Sequence, residues 1–223
     1  ANFGSYKMKA MILAAGRGER LRPITDSIPK ALAKVRGKTL LDRHLEKIYE
    51  AGINDVIINI GWKGEQIKEN LSSKIHSKLK IEFSDEGNNI LETGGGIFNA
   101  LSLLGKEFIV INADIFTDMP IPTINLPKES LGHLILVPSP SYFEHGDFDL
   151  IDGKIKNSNV QNLKFSGVAK YRAELFDGCR QGKFSITPLL RKYAELNLIN
   201  GSIYKGFWSD IGTPERLTDL KNQ

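Results

Sequence analysis

Short apolar runs alternate with amphipathic stretches along the whole chain. Residues 10–15 (AMILAA) predict a buried strand that stops at Gly16. An unbroken apolar run of that length suits a strand covered on both faces. Leu40, Leu41, Leu45, Ile48 and Tyr49 fall on one helical face, with Thr39 at the N-cap position and Gly52 as the stop. Residues 55–60 (DVIINI) predict a strand, 64–73 a helix, 80–83 a strand, 97–104 a helix entered through three glycines, and 108–111 (FIVI) a buried strand. This β-α-β-α-β-α-β order predicts an α/β fold with a parallel sheet covered by helices on both faces.

The second half changes character. Residues 131–137 and 165–171 predict strands, and Asp152-Gly153 between Leu150-Ile151 and Ile155 predicts a hairpin turn. Residues 185–197 hold one helix, which tolerates Pro188 in its first turn. Residues 203–208 predict a strand and 214–222 a closing helix. One continuous sheet, mixed but mostly parallel, is expected over residues 8–223 as a single domain. Residues 8–118 would form a nucleotide-binding half, and 119–223 the other wall of a cleft.

Composition narrows the function classes. Of 223 residues, 41% are hydrophobic and 25% charged, which excludes a disordered chain, a collagen and a disulfide scaffold. No apolar run approaches the roughly 20 residues that span a bilayer. The net charge of +4 suits an anionic small molecule. The basic residues form no tract, so neither a nucleic acid nor a membrane is an expected partner; the oligomeric state stays open. A single cysteine, Cys179, fits a reducing cytoplasm. No signal peptide stands at the start, and Met8-Lys9-Ala10-Met11 suggests that residues 1–7 are an extension or tag remnant.

The most informative stretch is Leu13-Ala14-Ala15-Gly16-Arg17-Gly18-Glu19-Arg20-Leu21-Arg22-Pro23. A strand runs into a small-residue loop with two glycines and three arginines. Missing side chains let backbone N–H groups approach phosphate oxygens, and arginines supply forked cationic donors. In an open α/β sheet such a loop lies at the carboxyl end of a strand, where ligands bind. Lys30, after Pro29, can swing back onto the same phosphates. The dinucleotide fingerprint fails because its third glycine position is Leu21, and no P-loop is present. A glycine turn with solvated arginines is the plain alternative; the arginines and Pro-Lys favour phosphate.

LAAGRGERLRPITDSIPKAL resembles the signature of the sugar-phosphate nucleotidyltransferases, and ordered matches continue to Gly212. The segments LETGGGIF from Leu91, Asn112-Ala113-Asp114, Gly146-Asp147-Phe148, Phe165-Ser166-Gly167 and WSDIGT from Trp208 look most like the branch acting on N-acetylmuramate 1-phosphate in bacterial cell-wall sugar recycling. The resemblance implies a Rossmann-like fold, UTP as donor and Mg²⁺ as cofactor. It also implies catalytic roles for Arg20, Lys30 and Arg17, and a nucleotide site from Ala14, Ala15, Gly16, Arg17, Gly18, Glu19 and Lys30. Cytidylyl, guanylyl and thymidylyl transfer are the alternatives within the class; outside it stands a nucleotide-binding regulatory module without chemistry.

Asp114 follows the buried run 108–111 directly, and Asp210 ends the 203–208 stretch. Carboxylates at strand ends suit Mg²⁺, which takes a few oxygen ligands beside phosphates and water. The resemblance makes these two the metal ligands. An N-cap or turn aspartate beside Thr213 for Asp210 and a solvated loop acid for Asp114 are the plain readings, and Asp118, Asp85 and Asp147 are rivals. Glu86 is placed near the base, where a carboxylate accepts from uracil N3–H and faces cytosine N3 badly; a surface acid is the alternative. Gly94 and Gly95 are read as making room for base or ribose, since three glycines cost backbone entropy without evident packing gain. Thr93 can equally cap that helix. Asn112, Asp147 and Gly167, with Glu92, match sugar-binding positions. No Glu-Lys pair for the acceptor phosphate is found. His44 and His76 are expected at the surface or boundary, and His145 alone could touch substrate. Cys179, Trp62 and Trp208 are read as structural.

Overall fold

The computed structural model describes residues 7–71, 75–157 and 162–222. In chain order the elements begin with β1 (Lys9–Leu13), α1 (Ile24–Ser27), β2 (Lys34–Val35), β3 (Lys38–Thr39), α2 (Leu40–Glu50), β4 (Asp55–Ile60), α3 (Gly64–Asn70) and β5 (Lys80–Asp85). They continue with α4 (Glu92–Leu104), β6 (Glu107–Asn112), β7 (Ile115–Thr117), β8 (Gly132–Pro138), β9 (Asp149–Ile151), β10 (Lys154–Lys156) and β11 (Leu163–Arg172). The last are α5 (Thr187–Glu195), β12 (Ile199–Ile203), β13 (Trp208–Asp210) and α6 (Pro214–Asn222). The expected extension lies almost wholly outside the described residues, as does the end of the helix expected to reach Ser73.

One nine-stranded sheet runs β5-β4-β1-β6-β11-β8-β12-β10-β9. The first four strands are parallel, β11 is antiparallel to β6 and β8, and β12 returns parallel to β8. The expected single mixed sheet is therefore present. Its alternating side chains split the core in two. Ala10, Ile12, Val56 and Ile58 pack with Leu41, Leu45 and Ile48 of α2 on one face. Met11, Ile57 and Val110 pack with Ile97 and Ala100 of α4 and Leu190 of α5 on the other. Successive residues of β1 thus serve opposite cores, which is why the strand must be apolar throughout.

The helix caps follow the sequence. Thr39 Oγ1 accepts from Asp42 N at 3.0 Å. At the other end Gly52 takes φ 76°, with Gly52 N donating to Tyr49 O and Ile53 N to Ile48 O, a Schellman closure. The strand expected over 203–208 is instead two pieces. Residues 199–203 join the main sheet, and after a turn β13 pairs antiparallel with β7. That excursion carries Asp210 to the end of β6. A third core of Leu21, Leu40, Ile211 and Leu217 binds α6 to the arginine loop.

β11 carries an irregularity. From Phe165 to Ala169 it advances four residues while its partner β8 advances two, from Leu136 to Leu134. Gly167 sits within it at φ 83°, beneath the Asn112 side chain, where any Cβ would collide. At the far end of β11, Lys170 is nearly fully buried and donates to Glu107 Oε2 and Ile124 O, both at 2.8 Å. Arg172 holds Glu107 Oε1 at 2.9 Å.

Burial alone would raise the Glu107 pKa, but hydrogen bonds from Lys170 and Arg172 hold it below the ordinary 4.5. Because the folded value lies below the unfolded one, this stabilisation is complete above about pH 4.5 and is lost as pH falls through the folded value. Glu107→Gln, which leaves Lys170 without its counter-charge, is expected to lower unfolding free energy by roughly 2 kcal/mol at pH 7. The gap to wild type should close toward pH 3. Urea unfolding at several pH values measures both.

Candidate active site

The parallel strands β5, β4, β1 and β6 end on one edge, and a cavity of about 510 Å³ opens there. The loop after β1 supplies one wall with Ala14, Ala15, Gly16, Arg17, Gly18, Glu19 and Arg20. Lys30, Glu86, Glu92, Asn112 and Asp114 also line it, so twelve of the expected site residues share this cavity. Among the described residues, Gly94, Gly95, Asp147, Gly167 and Asp210 are not part of its wall.

Lys30 joins loop to strand end: its amine lies 2.6 Å from Asp114 Oδ2, with both side chains partly buried. Gly18 makes this possible. It adopts φ 62°, and a Cβ there would stand 2.9 Å from Thr25 Cγ2 and 3.2 Å from Lys30 Cβ. Thr25 Oγ1 donates to Gly18 O at 2.8 Å and locks the turn. Gly16, by contrast, has nothing within 4 Å and leaves room at the cavity. Arg17 and Arg20 are exposed, and Arg17 stacks over Trp62, 5.4 Å from the ring centroid. Trp62 is thus a half-exposed platform for Arg17, in addition to the packing role expected of it.

Glu86 is buried rather than a surface acid, at 8% exposure. Its Oε1 accepts from Asn59 Nδ2 at 2.7 Å and its Oε2 from Leu91 N at 2.8 Å. Burial raises its pKa, against the lowering effect of those two bonds. Asn59 then turns its Oδ1 to Ala14 N at 2.6 Å and Ala15 N at 3.3 Å. Asn59 lines the cavity and was missed in the sequence; the only signal was an amide near the end of an otherwise apolar strand.

The three glycines lie inside α4, not before it, and each has a packing reason. A Cβ on Gly94 would strike the Phe184 ring, and one on Gly95 the carbonyl of Gly182. One on Gly96 would stand 2.7 Å from both Asn59 Nδ2 and Glu86 Oε1. The view that these glycines lack a packing gain is corrected. Leu91 holds the cap position instead of Thr93, whose Oγ1 accepts from Ile186 N at 3.0 Å. Gly95 N donates to Phe184 O and Phe184 N to Leu91 O, strapping the chain around residue 184 onto the helix start.

Asp210 stands one register step from Asp114: Asp210 pairs with Ile115, and Ile211 N donates to Asp114 O at 2.8 Å. Its carboxylate is held by Arg216 Nη1 at 2.6 and 2.7 Å and by Tyr142 OH at 3.3 Å. Arg216 lies 4.2 Å from the Tyr142 ring centroid, and Gly212 gives it space. Thr213, not Asp210, caps α6 by accepting from Arg216 N. No local pattern in the sequence marks Arg216 as this partner. Asp114 and Asp210 thus lie on adjacent chain segments, each carboxylate paired with its own cation, Lys30 and Arg216 respectively. Among the described residues no group of three or more His, Cys, Asp or Glu is placed to hold a metal ion. The other aspartates are engaged too: Asp118 accepts from Tyr204, Asp85 from Gly87 N, and Asp147 from Lys164 and Phe165 N.

His44 corrects another expectation. It is 3% exposed, its Nε2 lies 3.3 Å from Ala113 O, and burial lowers its pKa to about 4. A neutral imidazole thus supports the residue before Asp114. His145 is exposed and outside the cavity wall. Burial pushes the Cys179 thiol upward, away from thiolate chemistry. Trp208 Nε1 donates to Ser166 O at 2.8 Å, which ties β13 to β11.

The crevice lies at the carboxyl ends of parallel strands, where open α/β sheets bind their ligands, with a glycine-arginine loop facing a carboxylate. The Nucleotidyl transferase family matches residues 9–129, and the chain belongs to that family. It is 41% identical over 96% of its length to an N-acetylmuramate alpha-1-phosphate uridylyltransferase from Neisseria meningitidis serogroup B, 97% of which is covered. It is 30% identical to the enzyme of the same name from Caulobacter vibrioides, with 92% of each chain covered. The fold matches a UDP-glucose pyrophosphorylase solved with UDP-glucose at a TM-score of 0.78 and 21% identity, over 96% of this chain and 97% of that one.

Gly95→Ala gains helix propensity of about 1 kcal/mol, but its methyl meets a backbone carbonyl that cannot step aside. A net loss of roughly 2 kcal/mol is expected, together with weaker substrate binding as the strap around residue 184 shifts. Thermal denaturation and a KM measurement check the pair.

Proposed function

We propose that this protein transfers a uridylyl group from UTP to N-acetylmuramate 1-phosphate and releases pyrophosphate. The observation that carries the reading is the Arg17, Arg20 and Lys30 loop facing Asp114 within one cavity. The two uridylyltransferases that resemble the chain over nearly its whole length support the choice of donor and acceptor. Residues 8–118 hold the nucleotide in this reading, and residues 119–223, joined by Glu92 and Asn112, the sugar.

A phosphate monoester is largely dianionic at neutral pH, with a second pKa near ~6. The acceptor oxygen attacks the α-phosphorus without a general base or a covalent enzyme intermediate. The protein's task is to align two mutually repelling anions and to stabilise the charge that develops. Arg17 and Arg20 neutralise the triphosphate. Lys30 exchanges Asp114 for phosphate oxygens and supports the leaving pyrophosphate. Asp114 and Asp210 would hold Mg²⁺, which when bound supplies positive charge to the phosphates. Gly16, Gly18 and Glu19 shape the loop around the nucleotide, with Ala14 and Ala15 below. Glu86, already fixed by Asn59, retains lone pairs to accept from uracil N3–H. Gly94 and Gly95 set the helix start beside the nucleotide, and Glu92, Asn112, Asp147 and Gly167 build the sugar side. This work belongs in the cytoplasm, as a step of cell-wall sugar recycling.

A pyrophosphate-release assay crossing four nucleoside triphosphates with the 1-phosphates of N-acetylmuramate, N-acetylglucosamine and glucose, with and without Mg²⁺, tests the reading. Fastest release is expected with UTP, N-acetylmuramate 1-phosphate and metal. Release only with CTP would overturn the base assignment, and none with any pair would leave a nucleotide-binding regulatory module. Arg20→Ala and Lys30→Ala should each lower kcat/KM on the order of 10²-fold or more; near-normal turnover removes that residue from the mechanism.

A further inference from the structure

Four cationic side chains line the cavity. Arg17, Arg20 and Lys30 belong to the first half, the side that the proposed function gives to the triphosphate. Lys183 comes from the second half, and its amine lies 3.5 Å from Glu92 Oε1. The acceptor proposed above carries one anionic group besides its phosphate, a lactyl carboxylate remote from the reacting centre. Resting on that reading, we propose that Lys183 is the specificity-determining residue that receives the carboxylate of the acceptor.

Three observations support the assignment. The backbone on both sides of Lys183 is fixed to the start of α4: Phe184 N donates to Leu91 O at 3.1 Å, Gly95 N to Phe184 O at 3.0 Å, and the Gly182 carbonyl rests against Gly95. The side chain itself is 65% exposed, so a fixed base carries a mobile cation. Its pairing with Glu92 is loose and solvated, the kind worth little on its own, so a ligand carboxylate can share or replace it at small cost. Other cations of this half hold shorter pairs: Lys164 with Asp147 at 2.9 Å, Arg216 with Asp210 at 2.6 Å, and Lys170 with Glu107 at 2.8 Å. Finally, Glu92 adopts φ 60°, a left-handed conformation that costs a non-glycine residue free energy, and lines the cavity together with Lys183. It keeps the Lys183 partner at the cavity wall.

The test compares wild type, Lys183→Met and Lys183→Arg with UTP and either N-acetylmuramate 1-phosphate or N-acetylglucosamine 1-phosphate, which lacks the lactyl group. Lys183→Met should lower kcat/KM for the muramate acceptor roughly tenfold or more, mostly through KM. The glucosamine acceptor should stay within about twofold, since a lost cation there removes no ligand contact. Lys183→Arg should restore most of the preference. Where glucosamine turnover is too slow, its inhibition constant replaces kcat/KM. An equal loss for both acceptors, or no loss for the muramate, overturns the assignment. Wild-type turnover of the glucosamine acceptor alone overturns the acceptor reading itself, whatever Lys183 does.

Discussion

The ion pair between Lys30 and Asp114 governs the organisation of the crevice. A partly buried ammonium and a partly buried carboxylate sit 2.6 Å apart, each offsetting the desolvation of the other. The pair ties the segment after β1 to the end of β6, two walls of the same cavity. The same arrangement recurs at Asp210 with Arg216, and more loosely at Glu92 with Lys183. Each of these three cations thus comes with an internal counter-ion, while Arg17 rests on the Trp62 ring instead. Pairs of this kind can exchange partners when an anionic ligand arrives.

Support for those pairs comes from neutral contacts. Asn59 links Glu86 on one side to the amides of Ala14 and Ala15 on the other, so the base of the loop is fixed by a side chain from a neighbouring strand. His44, uncharged and buried, lies against Ala113 O. The core containing Leu21 and Ile211 anchors the arginine loop to the segment that carries Asp210. Rigid surroundings of this kind keep donors aimed where charge will develop.

Much of this was legible in the sequence because it rests on local rules. The apolar runs located the central strands, Thr39 and Gly52 bounded α2, and Asp152-Gly153 set the β9–β10 turn. The loop from Leu13 to Pro23 stood out because glycine and arginine seldom follow a buried strand together without reason. What stayed hidden depends on contacts between distant parts of the chain. Nothing local marks Arg216 as the partner of Asp210, or Asn59 as the anchor of the loop. The glycines of α4 looked like open space because Phe184 and Gly182, which fill it, lie about ninety positions away. The burial of His44, expected at the surface or boundary, escapes helical periodicity, which cannot say how closely another strand end approaches. The 203–208 stretch was read as one strand because its residue types suit pairing throughout, and only the turn shows that its two ends serve different sheets.

The irregularity in β11 has a geometric consequence. Two residues are looped out there, an even number, so the in–out alternation of the strand survives: Phe165 and Ala169 still face the same core. The extra length builds a corner around Gly167 while the hydrophobic parity on either side stays in phase. Any change of chain length at this corner is therefore quantised. Removing or adding one residue would turn half of β11 inside out, whereas a change of two would reshape the ground beneath Asn112 and leave the core's facing intact.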